Sequence, residues 1–162
     1  MNISVFAIGR MKSGPERELV ARYLERFEKS APAIGLGFGG LIEKPESRMG
    51  DAPQRKREEA SWLIEQCDAQ SGTLLVLLDE TGKSLPSEVL AEMIGKKRDH
   101  GARHMVFAIG GADGHDATLK SRADLVLSFG AATWPHQMVR IMLAEQLYRL
   151  VTILSGHPYH RS

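Results

Sequence analysis

The sequence predicts an α/β domain built on a mostly parallel sheet with helices on both faces. Three observations carry that expectation. Strand-like and helix-like segments alternate along the chain, the order that a parallel sheet with crossover helices requires. "TLLVLLD" (73–79) and "HMVFAIGG" (104–111) are continuous apolar runs, as strands buried on both faces should be. Between the strands, apolar residues recur at helical spacing, the mark of a helix with one buried stripe.

The elements follow in order. "ISVFAIG" (3–9) reads as a first strand stopped by Gly9. A helix over 15–30 opens with Pro15, whose missing N–H would have no partner in a first turn anyway. Its Leu19, Val20, Tyr23, Leu24 and Phe27 form the buried stripe. "AIGLGFGGLIE" (33–43) alternates like a strand, although its glycines weaken the pattern. "KPESRMGD" is a polar loop, and a helix from Ala52 to Gln70 carries Trp62, Leu63 and Cys67 on one side. After the strand at 73–79 comes a helix over 87–101, capped by Ser84 or Ser87 and ended by Gly101. The strand at 104–111 leads to a short helix in "HDATLKSRAD", a fifth strand in "LVLSFG" and a closing helix from Pro135 to Leu154. No repeat or linker interrupts the pattern, so residues 1–162 are expected to form one domain.

Composition narrows the class. At 43% hydrophobic and 25% charged residues the chain is ordinary for a soluble globular protein. Its one cysteine, Cys67, allows no internal disulfide, and its helical setting marks it as a core residue. No signal-peptide pattern and no run of roughly 18 apolar residues is present, so a cytoplasmic protein without a membrane partner is expected. Net charge is only +1, yet "GKKRDHGARH" gathers Lys96, Lys97, Arg98 and Arg103 against one acid. Such a run is either a solvated face or a patch that tracks phosphates.

In α/β sheets ligands bind beyond the carboxyl ends of the strands. Three exits stand out: "LLDETGKSL" (77–85), "AIGGADGHD" (108–116) and "LSFGAATWPH" (127–136). Gly110, Gly111 and Gly114 let backbone approach a ligand, but GGxxG is not the dinucleotide fingerprint and equally fits a tight turn. In the third loop Gly130, Ala131, Ala132 and Thr133 leave room for a flat ligand, with Phe129 and Trp134 able to wall it in. Asp79 and Glu80 are polar ligands or parts of a turn. From Met138 to Leu154 twelve of seventeen residues are apolar, more than one sheet face can cover, so the free face calls for a two-fold partner.

These loops and the final "SGHPYHRS" together resemble the RlmH-type ribosomal RNA methyltransferases of the SPOUT superfamily. The resemblance spans the chain, and "PHQMVRIMLAEQLYR" followed by "HPYHR" is its most specific part. It implies a SPOUT-type fold with a C-terminal trefoil knot over about residues 73–162. It also implies S-adenosylmethionine as cofactor, a homodimer, and methylation at N3 of a pseudouridine in 23S rRNA within the 70S ribosome or large subunit. Leu78, Gly110 and Gly111 would edge the cofactor pocket. Leu127, Ser128, Phe129, Gly130, Ala131, Ala132, Thr133 and Trp134 would wrap the adenine and methionine parts. No metal is expected.

Transfer to an imide nitrogen needs alignment and removal of the N3 proton. His160 is the first choice as base, with Tyr159 as the alternative or as the group that stacks on the target base. Arg161 would grip phosphate or the developing oxyanion, and the tail would face the "LSFGAATWPH" loop across the pocket. His136 is expected to orient its loop, and Arg140 to reach RNA or the partner subunit. Lys96, Lys97 and Arg98 are the candidate docking patch. A nucleotide-binding oxidoreductase would need GxGxxG after the first strand, and "IGRMKSG" lacks it. A non-catalytic RNA-binding module would need a lesioned cofactor loop, and none is apparent.

Overall fold

The structure, a computed structural model, describes residues 1–160. The chain runs β1 (Asn2–Ile8), α1 (Pro15–Ser30), a 3-10 turn (Ala31–Ile34), β2 (Gly37–Lys44), α2 (Ala52–Asp68) and β3 (Leu74–Ser84). It continues through α3 (Ser87–Asp99), β4 (His104–Ile109), α4 (Ala117–Arg122), β5 (Leu125–Ser128) and α5 (His136–Ser155). The strands form one sheet in the order β2-β1-β4-β3-β5, and every pairing is parallel.

Alternation along the strands explains the continuous apolar runs. Val76, Leu78, Met105, Phe107 and Ile109 face a layer that includes Val20, Leu24 and Phe27 of α1, Leu90 and Ile94 of α3, and Leu143, Leu147 and Leu150 of α5. The intervening Leu75, Leu77, Val106 and Ala108 face the other side, against Ala60, Leu63 and Cys67 of α2 and Leu119 of α4. Both faces are therefore dry, and each such Leu contributes about 1.5–3 kcal/mol by burial. Cys67 belongs to this packing, with burial pushing its thiol up to about 11. Among the described residues no helix is long and apolar enough to cross a membrane.

Two expectations bear on the C-terminal half. Helices α1 and α3 pack beside α5 and cover part of the apolar girth for which a partner is expected. Met138 is 39% exposed there, and Val139, Ile141, Met142, Ile153 and Leu154 stay half-buried. β3 was expected to stop at Asp79, yet it resumes pairing with β5 after a register break, so that Leu127 faces both Leu78 and Lys83. Gly82 makes this crossing possible. A Cβ there would lie 2.7 Å from backbone atoms of Val126 and Leu127. Helix α3 likewise starts after Pro86 with no side-chain cap, and the Ser87 hydroxyl instead donates to Gln146 Oε1 at 2.7 Å.

Candidate functional site

The middle of β3, at its register break, and the carboxyl ends of β4 and β5 open into a cavity of about 380 Å³. Leu78, Gly110, Gly111, Leu127, Ser128, Phe129, Gly130, Ala132, Thr133 and Trp134 line it, as do Asp79, Glu80, Ile109, Asp113, His115, His136 and Val139. Of the loop residues singled out as cofactor wall, Ala131 alone points elsewhere and is exposed. The Ser128 hydroxyl donates to the Gly130 carbonyl at 2.9 Å and accepts from the Gly130 N–H at 3.2 Å, which turns the chain sharply after β5. Gly130 has φ +109°, a conformation that a Cβ would strain. Trp134 sits on the rim at 42% exposure.

The cavity floor rests on a residue that sequence reasoning passed over. His115 is buried, and with its proton on Nε2 it donates to the Leu78 carbonyl at 3.1 Å. Its ring lies against Gly110, where a Cβ would come within 3.1 Å. Burial lowers its pKa, which favours the neutral imidazole. The available signal was a histidine directly after a strand-exit glycine loop, overshadowed by the glycines themselves.

Asp79 was weighed as a ligand or a turn residue, and it is built into a turn that also borders the cavity. Its carboxylate takes Lys120 Nζ at 2.7 Å, the Thr81 N–H at 2.9 Å and the Thr81 hydroxyl at 2.6 Å. Burial pushes this carboxyl up, but Lys120 and Thr81 outweigh it and hold it at about 2. Behind Gly111 stands the buried Glu59, which accepts the Ser47 N–H at 3.0 Å; a Cβ on Gly111 would come within 2.8 Å of its Oε2. Desolvation raises the Glu59 carboxyl above its ordinary range. Asp113 is clamped by Arg55, whose Nε and Nη2 donate at 2.6 and 3.1 Å.

Other expected site residues lie away from the cavity. Arg140, expected to reach outward, is only 4% exposed. It pairs with Glu43 and donates from Nη2 to the Ile8 and Gly9 carbonyls at 2.8 Å, tying α5 to the ends of β1 and β2. This corrects the RNA-binding expectation, because its donors point into the protein. Lys96, Lys97 and Arg98 end α3, and since that helix runs against the strands they lie at the sheet's opposite pole. Lys96 pairs with Glu92 at 2.6 Å, and Arg98 with Asp99 at 2.8 Å and with the Ile34 carbonyl at 2.6 Å.

The tail folds back on α5 and α3 rather than over the cavity of its own chain. Gly156 closes α5 with φ +68°, and the His157 N–H donates to the Thr152 carbonyl at 2.9 Å. The Tyr159 hydroxyl donates to Glu145 Oε1 at 3.1 Å, with its ring 4.8 Å from that of Tyr148 and 5.1 Å from the Arg149 guanidinium carbon. Desolvation first, then Tyr23 and Glu145, raise the phenol's pKa. His160 Nε2 lies 2.8 Å from Glu88 Oε1 and its Nδ1 3.4 Å from Arg149 Nη1. Neither residue borders the cavity, so among the described residues the expected wall facing "LSFGAATWPH" is not made within one chain. Arg161 lies outside the described residues.

Residues 1–160 match a family model described as "Predicted SPOUT methyltransferase". Over its whole length the chain is 63% identical to the ribosomal RNA large subunit methyltransferase H of Mesorhizobium japonicum, all of which is covered. It is 59% identical to the protein of the same name from Brucella anthropi, again with both chains fully covered. Among solved structures, the SpoU methyltransferase AviRb of Streptomyces viridochromogenes in complex with AdoMet is similar over 90% of this chain and 56% of that one, at TM-score 0.42 and 12% identity. That likeness is too distant to carry an argument.

Proposed function

The chain belongs to the SPOUT methyltransferase family, and from that premise we propose that it methylates N3 of a pseudouridine in 23S rRNA on the ribosome, using S-adenosylmethionine. The observation that supports the cofactor is a cavity of glycines and small residues at the strand exits, with one unpaired carboxylate on its wall. Asp79, Glu80 and Asp113 line it, but Asp79 is paired with Lys120 and Asp113 with Arg55, so Glu80 is the one of the three without an ion pair among the described residues. Its charge favours the cationic sulfonium or ammonium of S-adenosylmethionine over the pyrophosphate of a nicotinamide dinucleotide, which tells against the oxidoreductase alternative. A cavity of about 380 Å³ also lies in the range of small-molecule sites. The RNA substrate is supported by the names of the full-length relatives.

When bound, S-adenosylmethionine would supply an electrophilic methyl group for the ring nitrogen. Leu78, Gly110, Gly111 and the 127–134 loop would hold the adenosine and methionine parts against backbone donors and acceptors. His115 fixes the Leu78 carbonyl and thereby the floor. His160, with Tyr159 as the alternative, would take the N3 proton. Because these two stand off the cavity of their own chain, the reading needs a homodimer in which one tail serves the other chain's cavity. Exposed Trp134 on the cavity wall and exposed Met138 in the first turn of α5 support such a contact. The Gly82 crossing supports a knotted path for residues 73–162.

Calorimetry tests the cofactor directly. S-adenosylmethionine should bind and a nicotinamide dinucleotide should not. Binding of the dinucleotide alone would overturn the assignment.

A further inference from the structure

We infer that the RNA docks on the shoulder beside the cavity, where the loops after β1 and β2 and the first turns of α2 present Arg10, Lys12, Arg48, Lys56 and Arg57. This inference rests on the rRNA reading above and goes beyond it, because it moves the docking surface away from the α3 terminus. The shoulder is continuous with the cavity. Gly111, on the cavity wall, lies against Ile8 of β1 and Glu59 of α2. Arg55 joins the two by clasping Asp113 of the wall and donating from Nη1 to the Met49 carbonyl at 3.2 Å.

The charges of this surface are asymmetric in their engagement. Arg10, Lys12, Arg48 and Arg57 are exposed, Lys56 is half-buried, and none has an ion-pair partner within 4.0 Å among the described residues. Most carboxylates around them are engaged, two in ion pairs and four by neutral hydrogen-bond donors that leave the charge in place. Asp51 and Asp116 cap α2 and α4, Glu43 holds Arg140, Asp113 holds Arg55, and Glu58 and Glu59 accept from Ser47. Glu16, Glu18 and Glu46 are the exceptions, and they lie towards the first turn of α1 and the β2 exit. Lys56 and Arg57 sit close enough to Asp116 for their fields to act on it, beside the Thr118 N–H that dominates there. Met49, 48% exposed, stands among these cations as an apolar surface for a base. Free cations around a cavity are what a polyanion meets on the way to placing one nucleotide at the methyl group. At the α3 pole, by contrast, two of the three cations are already paired.

The test uses the full chain, labelled S-adenosylmethionine and large ribosomal subunits from cells that lack the modification. Arg48→Ala/Lys56→Ala/Arg57→Ala is compared with Lys96→Ala/Lys97→Ala. For the first variant, kcat/KM for the particles should fall at least about tenfold while cofactor affinity by calorimetry is kept. Its dependence on log salt should become shallower by about 3, one for each phosphate contact removed. The second variant should stay within about twofold of wild type. A shoulder variant with wild-type kcat/KM and salt slope overturns the inference, as does a loss confined to the α3 variant. If the wild-type chain binds the cofactor but labels no particle, the rRNA reading itself fails and takes this surface with it.

Discussion

Replacing Arg140 by Met keeps the aliphatic stem and removes the guanidinium at the junction of α5 with β1 and β2. The loss strands three acceptors. The Ile8 and Gly9 carbonyls lose their donor from Nη2, and Glu43 keeps only the Met11 N–H at 3.0 Å. Breaking a buried pair by deleting one partner costs about 3–5 kcal/mol. Glu43 retains 22% exposure of its side chain, so the loss belongs at the lower end, about 3 kcal/mol. The unpartnered Arg140 Nε also leaves with the guanidinium and offsets a part of that cost. Urea unfolding followed by circular dichroism measures it. Adding Glu43→Gln to Arg140→Met should recover some of the loss, because an unpaired carboxylate becomes a neutral amide. Unfolding within about 0.5 kcal/mol of wild type, together with collapsed methyl transfer to ribosomes, would refute the reasoning and return Arg140 to the RNA-facing surface.

Gly82→Ala should cost about 1–3 kcal/mol in the same assay and weaken S-adenosylmethionine binding, since the new methyl meets backbone rather than a movable side chain. His115 has a folded pKa below its ordinary value, so the stability it confers is fully present above the unfolded value of about 6.5 and is lost as pH falls below that through the lowered folded pKa. Denaturant titrations at about pH 7.5 and 5.5 should show a steeper fall for wild type than for His115→Leu, and equal falls would refute the neutral-histidine floor. His160→Ala should retain cofactor affinity and lose about 10²–10⁴ in turnover; turnover that survives shifts the base to Tyr159.

The strand and helix order was readable because the inner strands β1, β3 and β4 face two dry layers and each long helix one. Continuous runs such as 74–78 and 105–109 therefore stand out, with the stripe on α1 beside them. The cavity wall was readable for the related reason that glycines and small residues at strand exits mark close backbone approach. Side-chain partners in three dimensions were not readable. Arg140 looks the same in sequence whether it reaches RNA or the carbonyls of residues more than a hundred positions earlier. The β3 extension hid behind a turn-like "ETGK", because only the meeting with Leu127 makes Gly82 necessary. His115 carried no distinctive spacing, and its role depends on a carbonyl from a different strand. The tail was legible as special in composition, but its position away from the cavity follows from packing on Tyr148, Glu145 and Glu88.

The central claim is that this chain puts a methyl group on N3 of a ribosomal pseudouridine. Large subunits or 70S ribosomes from cells without the modification, incubated with the chain and labelled S-adenosylmethionine, can be digested to nucleosides and resolved by mass spectrometry. The account predicts label in 3-methylpseudouridine from 23S rRNA and in no other nucleoside. Label on a ribose, on a base carbon or on protein, or no label at saturating cofactor, would contradict it.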